Sequence, residues 1–154
     1  MDQKVFVRVQ KSWLATHELI VLIWIARRLP AWVTPDLLTG LGLLGSMLCG
    51  AAFMLANLSD SWLWMAVAGL FLNWAGDSLD GNLARVRGIE RLQYGFFVDH
   101  TCDIISQTFI FMGIALSPYV RFETGSLLLM SYWLAAMLTF IRTISARVFQ
   151  ISYF

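Results

Sequence analysis

Long apolar runs, broken by short polar segments, repeat along this chain. Residues 3–29 carry Lys4, Arg8, Lys11, His17, Glu18, Arg27 and Arg28 among Val, Phe, Trp, Leu and Ile. Their purely apolar stretch, Leu19–Ala26, is eight residues, too short to cross a bilayer. This pattern predicts an amphipathic helix lying in the membrane interface, with Trp13 and Trp24 near headgroup depth. Leu29-Pro30 ends it, because a proline ring disfavours helix at the residue before it. Thr34-Pro35-Asp36 then predicts a new helix, with Thr34 as its cap and Pro35 at its first position. From Leu37 to Leu55 the chain is almost wholly apolar, a first span whose Gly40, Gly42, Gly45 and Gly50 suit close helix contacts. Asn57–Ser61 is a polar turn. Trp62–Ala75 begins a second span that runs on to Asp77 and Asp80. Residues 85–93, with Arg85, Arg87, Gly88, Glu90 and Arg91, read as a polar loop. Phe96–Leu116 is a third span with Asp99 and Asp103 in its first two turns, closed by Ser117-Pro118. After a turn at Arg121–Thr124, Leu127 to about Ile144 is a fourth span, followed by Arg147 and an apolar tail.

Composition agrees with this pattern. Of 154 residues, 58% are hydrophobic and 14% charged, against roughly 45–50% and about 25% in soluble domains. Mean hydropathy is +0.68. The fold expected is all-α: a polytopic membrane helix bundle of four visible transmembrane helices plus the N-terminal interfacial helix, forming one domain over residues 1–154. The N-terminus lacks the short apolar core and small-residue cleavage site of a signal peptide. Cys49 and Cys102 both lie in apolar segments and read as small buried hydrophobes, not as a disulfide framework. Net charge is +1, and no nucleic-acid partner is expected. Charge placement is more informative. With four spans, the N-terminus, the 85–93 loop and the C-terminus share one side, which holds ten of the eleven Lys and Arg residues; only Arg121 lies opposite. The positive-inside rule makes that side cytoplasmic.

The chemistry sits between Asp77 and Asp103. Asp77 and Asp80 are spaced i, i+3, and Asp99 and Asp103 i, i+4, so each pair shares a helix face. An antiparallel hairpin of the second and third spans brings all four to similar depth near its cytoplasmic end. Four carboxylates in apolar surroundings repel one another and are poorly solvated, so they require a cation. Oxygen-only ligands suit hard divalent ions such as Mg²⁺, Mn²⁺ or Ca²⁺. Metal ions and a nearby arginine, open to water on one side, suit phosphate chemistry. Gly81 and Gly95, lacking side chains, would allow close approach of backbone or ligand.

Asp77-x-x-Asp80-Gly81-x-x-Ala84-Arg85, then Gly95-x-x-x-Asp99-x-x-x-Asp103, resembles the signature of the CDP-alcohol phosphotransferases, membrane enzymes of phospholipid synthesis. The likeness covers about residues 30–147, including the Pro35-x-x-x-Thr39 start of the first span. One departure stands: nine residues separate Arg85 from Gly95, where eight is commoner, and a loop absorbs the extra one easily. The resemblance implies transfer of a substituted phosphate from a CDP-alcohol, such as CDP-diacylglycerol, to an acceptor alcohol with release of CMP. It implies Asp77, Asp80, Asp99 and Asp103 as ligands of a two-metal Mg²⁺ or Mn²⁺ site, with Asp103 also the general base. Gly81, Ala84, Arg85 and Gly95 would border the cytidine diphosphate. It further implies a homodimer of six-span subunits, whereas this sequence offers four spans. Either the chain is the N-terminal part of a longer protein, or the last two helices are absent.

Competing readings remain at this stage. An aspartate-lined cation channel or transporter would need polar residues continuing past Asp103, where only Ser106, Gln107 and Thr108 follow before apolar residues. A non-catalytic membrane scaffold would bind metal without releasing CMP. Arg87 and Arg91 read as topology signals. His100 reads as a packed histidine, and Arg142 as either a snorkelling side chain or a contact to an anionic substrate.

Overall fold

The computed structural model describes residues 13–151, with side chains for residues 17–91 and 93–145. It holds five α-helices: α1 (Trp13–Ala26), α2 (Pro35–Leu55), α3 (Leu63–Arg87), α4 (Leu92–Ala115) and α5 (Phe122–Ile151). A single 3₁₀ turn at Asp60–Trp62 precedes α3, and no strand occurs among the described residues. The all-α expectation holds. Two helical segments, Pro35–Leu55 and Phe122–Ser145, are long and apolar enough to cross a membrane.

The described part of the N-terminal element differs from the amphipathic helix expected. After His17 and Glu18, the run Leu19–Ala26 is apolar on all sides: Leu22 and Ala26 are buried while Leu19, Ile20, Val21 and Trp24 are exposed. Lys4, Arg8 and Lys11, which made the pattern two-faced, lie outside the described residues. Arg28 folds back over Trp24, its guanidinium 3.7 Å from the ring centroid.

Thr34 caps α2 as its sequence implies. Its backbone is extended, its hydroxyl accepts from the Leu37 N–H at 3.2 Å, and Pro35 occupies the first turn. α2 is the pillar of the fold, with α3 and α4 both packed on it and little contact between themselves. Glycines make this possible. At Gly76 an added Cβ would lie 2.5 Å from the Gly42 N and the Leu38 O; at Gly45 it would lie 2.6 Å from the Asn73 N. The α2–α3 backbones therefore touch directly, and Asn73 donates to the Gly42 carbonyl at 3.0 Å. Gly50 and Gly113 do the same for α2 and α4. One buried cluster, Ala26, Val33, Leu38 and Leu83, seals α1 and its linker against α2 and α3. A second, Cys49, Ala52, Ala66 and Ile110, joins α2, α3 and α4. Cys49 is a fully buried free thiol, whereas Cys102, also free, is only half-buried.

Among the described residues, α5 packs on α4 and on no other helix. Trp133 donates to the Thr108 hydroxyl at 3.0 Å, Phe140 stacks on Phe96, and Gly125 abuts Ala115. At the end of the bundle remote from the aspartates, Asn57 donates to the Leu116 carbonyl at 2.9 Å and Tyr119 donates to Asp60, tying the two turns together.

Candidate active site

The motif is helical for longer than its charges suggested. α3 continues through Asp77, Asp80 and Arg85 to Arg87, and stops where Gly88 adopts a left-handed conformation at φ 64°. Arg85 and Arg87 in its last turn favour this extension, since cations complement the negative end of a helix. α4 resumes at Leu92, so the 85–93 loop shrinks to residues 88–91. The nine residues between Arg85 and Gly95 thus comprise the end of α3, a four-residue turn and the start of α4.

Asp77, Asp99 and Asp103 each offer a carboxylate oxygen to a cluster within 4.8 Å. Asp77 and Asp99 are exposed and Asp103 is half-buried. Three carboxylates this close repel unless a cation lies between them, and an all-oxygen donor set suits a hard divalent ion. These residues therefore fit a metal of the Mg²⁺ class. Asp80 stands outside the cluster. Thr39 donates to its Oδ2 at 2.5 Å, and the Gly81 N–H donates to its Oδ1 at 2.5 Å. The Thr39 hydroxyl, which has one proton to give, also lies 3.1 Å from the Pro35 carbonyl. The start of α2 thus fixes the orientation of an aspartate on α3.

Beside the cluster opens a cavity of about 730 Å³. Asp80, Gly81, Ala84, Arg85, Gly95 and Asp99, all singled out in the sequence, line it together. A Cβ on Gly81 would meet only the tip of Arg85, and one on Gly95 would meet nothing within 4 Å. These two glycines leave room in the cavity and do not serve helix packing. Arg85 is exposed, bonded to the Asn82 side chain at 3.1 Å and 3.6 Å from Glu90. One turn deeper, Asp77 and Asp103 border a second, polar cavity of about 10 Å³ with Thr39, Asn73, Cys102 and Ser106. Room for about one water is all it offers.

Arg87 and Arg91 do more than mark topology. Arg87 donates to the carbonyls of Val33 at 2.5 Å, Pro30 at 2.8 Å and Leu29 at 3.1 Å, fastening the α1–α2 linker to the end of α3. Arg91 reaches Asp36 in the first turn of α2, with 2.8 Å to each carboxylate oxygen, and lies 4.1 Å from the Tyr94 ring centroid. The hydrogen bond to Asp36 raises the Arg91 pKa further. His100 is half-buried against Phe96 and Phe140, a packed histidine as expected, with its Nδ1 3.7 Å from Asp99. Arg142 is exposed on α5. Asp36, Thr39, Glu90 and Tyr94 went unrecognised as site residues. Each reads locally as a cap, a helix start or loop polarity, and only the packing of α2 beside α3 and α4 reveals its neighbours.

A sequence model of the CDP-alcohol phosphatidyltransferases matches residues 32–153. Among characterised proteins, the chain is 40% identical over 88 residues to a phosphatidylinositol phosphate synthase of Cutibacterium acnes, covering 57% of this chain and 40% of that one. It is 36% identical over 104 residues to an archaetidylinositol phosphate synthase of Pyrococcus horikoshii, covering 68% and 52%. A cholinephosphotransferase 1 of Danio rerio is 28% identical over 96 residues, covering 58% and 25%. The chain thus spans about half or less of the length of these curated relatives. No solved structure matches it. The family match takes in both aspartate pairs, the cavity-lining glycines and the helices that carry them, and on that ground the chain belongs to the CDP-alcohol phosphatidyltransferase family.

Proposed function

We propose that this chain carries the catalytic centre of a membrane enzyme of phospholipid biosynthesis. It transfers a substituted phosphate from a CDP-alcohol, such as CDP-diacylglycerol, to an acceptor alcohol and releases CMP. The observation that supports this best is the convergence of the motif: the Asp77–Asp99–Asp103 cluster meets a cavity lined by Gly81, Ala84, Arg85 and Gly95. The names of the relatives, two inositol-lipid phosphate synthases and a cholinephosphotransferase, agree with that reaction class.

In this reading α2, α3, α4 and α5 all cross the bilayer, residues 1–154 form a single domain, and the aspartates open to the cytoplasm. A homodimer is the proposed assembly. The cavity at the α3–α4 turn takes the nucleotide, with Arg85 facing its phosphates. Asp77, Asp99 and Asp103 would hold the metal, and Asp80 would join them on leaving Thr39. A bound Mg²⁺ or Mn²⁺ would neutralise the diphosphate and ease departure of CMP. Asp103, on the deeper side of the cluster, accepts the proton of the acceptor hydroxyl. The hydroxyl oxygen bonds to the phosphorus bearing the donor's alcohol, the bond from that phosphorus to the CMP oxygen breaks, and CMP leaves. The deeper cavity, with room for about one water, supplies no ion path, so a channel gains no support from it.

The test is CMP release by the purified protein with CDP-diacylglycerol, a panel of alcohols and Mg²⁺ or Mn²⁺. Release is expected with at least one acceptor, lost in chelator and restored by metal. No release with any acceptor, or full activity without metal, would count against the reading.

A further inference from the structure

We infer that Arg91 is a positioning residue for the nucleotide donor, acting through a clasp on Asp36 that closes the mouth of the large cavity. The inference rests on the proposal that this cavity takes the nucleotide.

Three observations carry it. The first concerns what holds the cavity together. The start of α2 lines it together with α3 and α4, and α3 and α4 make little contact with each other, since both lean on α2. Their relative position at the mouth is therefore not fixed by a shared packed interface. It depends on what fastens the 88–91 turn. The second observation is the fastening itself. Arg91 spans 55 residues to set one guanidinium nitrogen 2.8 Å from both Asp36 oxygens, while its Cζ lies 4.1 Å from the Tyr94 ring centroid. Asp36, Arg91 and Tyr94 all line the cavity, as do Arg85 and Asp99. The third is local. Arg91 is the residue that caps α4, yet its side chain makes no capping bond there. Arginine has no acceptor with which to cap a helix. Its side chain is engaged across the mouth instead.

The strength of the clasp suits a gate better than a brace. Both side chains are about half exposed, Arg91 at 55% and Asp36 at 50%. Exposed ion pairs contribute little and exchange readily with water. A clasp of this kind biases the turn toward the closed position without locking it. Its loss should weaken nucleotide binding by a modest factor. The carboxylate cluster, to which neither Arg91 nor Asp36 belongs, should keep its metal affinity.

The experiment measures three quantities on the full chain in detergent: the dissociation constant of CDP in the presence of Mn²⁺, that of Mn²⁺ alone, and amide hydrogen exchange at residues 88–95 without ligand. The variants are Arg91→Ala, Asp36→Ala, the double variant, Arg91→Lys, and Arg121→Ala as a control from the remote end. Each single Ala variant should raise the CDP constant about 3–10-fold and quicken exchange at 88–95. The double variant should be no worse than the worse single, because both remove the same contact. Arg91→Lys should recover part of the loss, and Mn²⁺ affinity should stay within twofold throughout. A CDP constant within twofold of wild type in both single variants, multiplicative losses in the double, or unchanged exchange would overturn the clasp. Failure of the wild type to bind CDP at all would instead overturn the nucleotide reading and the donor role with it. The exchange measurement needs no substrate and still reports whether the clasp exists.

Discussion

Asp80 and Asp103 are both aspartates of one motif, but their surroundings differ, and the proposed function gives them different tasks. Asp80 is held by Thr39 and by the Gly81 N–H, and it lines the large cavity. Asp103 is half-buried in the cluster, one turn beyond Asp99, about 6 Å further along the helix axis. It borders the deeper cavity and not the larger one. Under the proposed reading this deeper position is where the acceptor hydroxyl would meet a carboxylate. Asp103→Asn keeps the shape and removes the proton acceptor. We expect it to lower turnover by about 10²–10⁴-fold, the usual range for a general base, while CDP binding survives. Asp80→Asn should instead weaken CDP binding. Turnover and CDP affinity for each variant decide this; wild-type turnover in Asp103→Asn, or loss of CDP binding equal to that of Asp80→Asn, would remove Asp103 as the base. The four aspartates were legible because their spacing is a local property of a helix. Thr39, the partner of Asp80, and Asp36, the partner of Arg91, were not, because a residue 41 or 55 positions away in sequence becomes a neighbour only through helix packing.

Helix boundaries show the same division. The cap at Thr34 and the stop at Gly88 follow from side-chain and backbone chemistry visible in a few residues. The expected loop at 85–93 is longer than the observed turn because a run of charge suits a helix end as well as a loop, and the last turn of α3 accommodates Arg85 and Arg87. The glycines of α2 suggested close contacts, and the structure separates those that serve packing from those that do not. Gly76 fits directly against the backbone of α2, but Gly40 has nothing within 4 Å. Gly76→Ala must push α3 off α2, an overpacking cost of about 1–3 kcal/mol. It should lower the thermal unfolding midpoint in detergent. Gly40→Ala should leave the midpoint unchanged or raise it, since alanine is the better helix former. Equal effects at the two positions would show that α2 and α3 do not meet as closely as described.

At the scale of the molecule, hydrogen bonds gather the connections into two opposite ends. Asn57 and Tyr119 tie the 57–60 turn to the 116–119 turn. Arg87 ties the α1–α2 linker to the end of α3, and Arg91 ties the α3–α4 turn to the start of α2. This up-and-down order agrees with the alternation read from the sequence. Every Lys and Arg except Arg121 was assigned to the second end, where the large cavity opens. If the helices cross a bilayer, the positive-inside rule puts that end in the cytoplasm, where a water-soluble CMP can leave. Leu58 and Ile89 are both exposed, one at each end, and so make suitable reporters. In a background with Cys49 and Cys102 replaced by Ser, Leu58→Cys or Arg121→Cys should react with a membrane-impermeant maleimide added to intact cells. Ile89→Cys should react only after the membrane is opened. Labelling of Ile89→Cys in intact cells, with protection of Leu58→Cys and Arg121→Cys, would place the aspartates on the outer face. Reaction of all three in intact cells would mean that these helices do not divide the chain between two compartments.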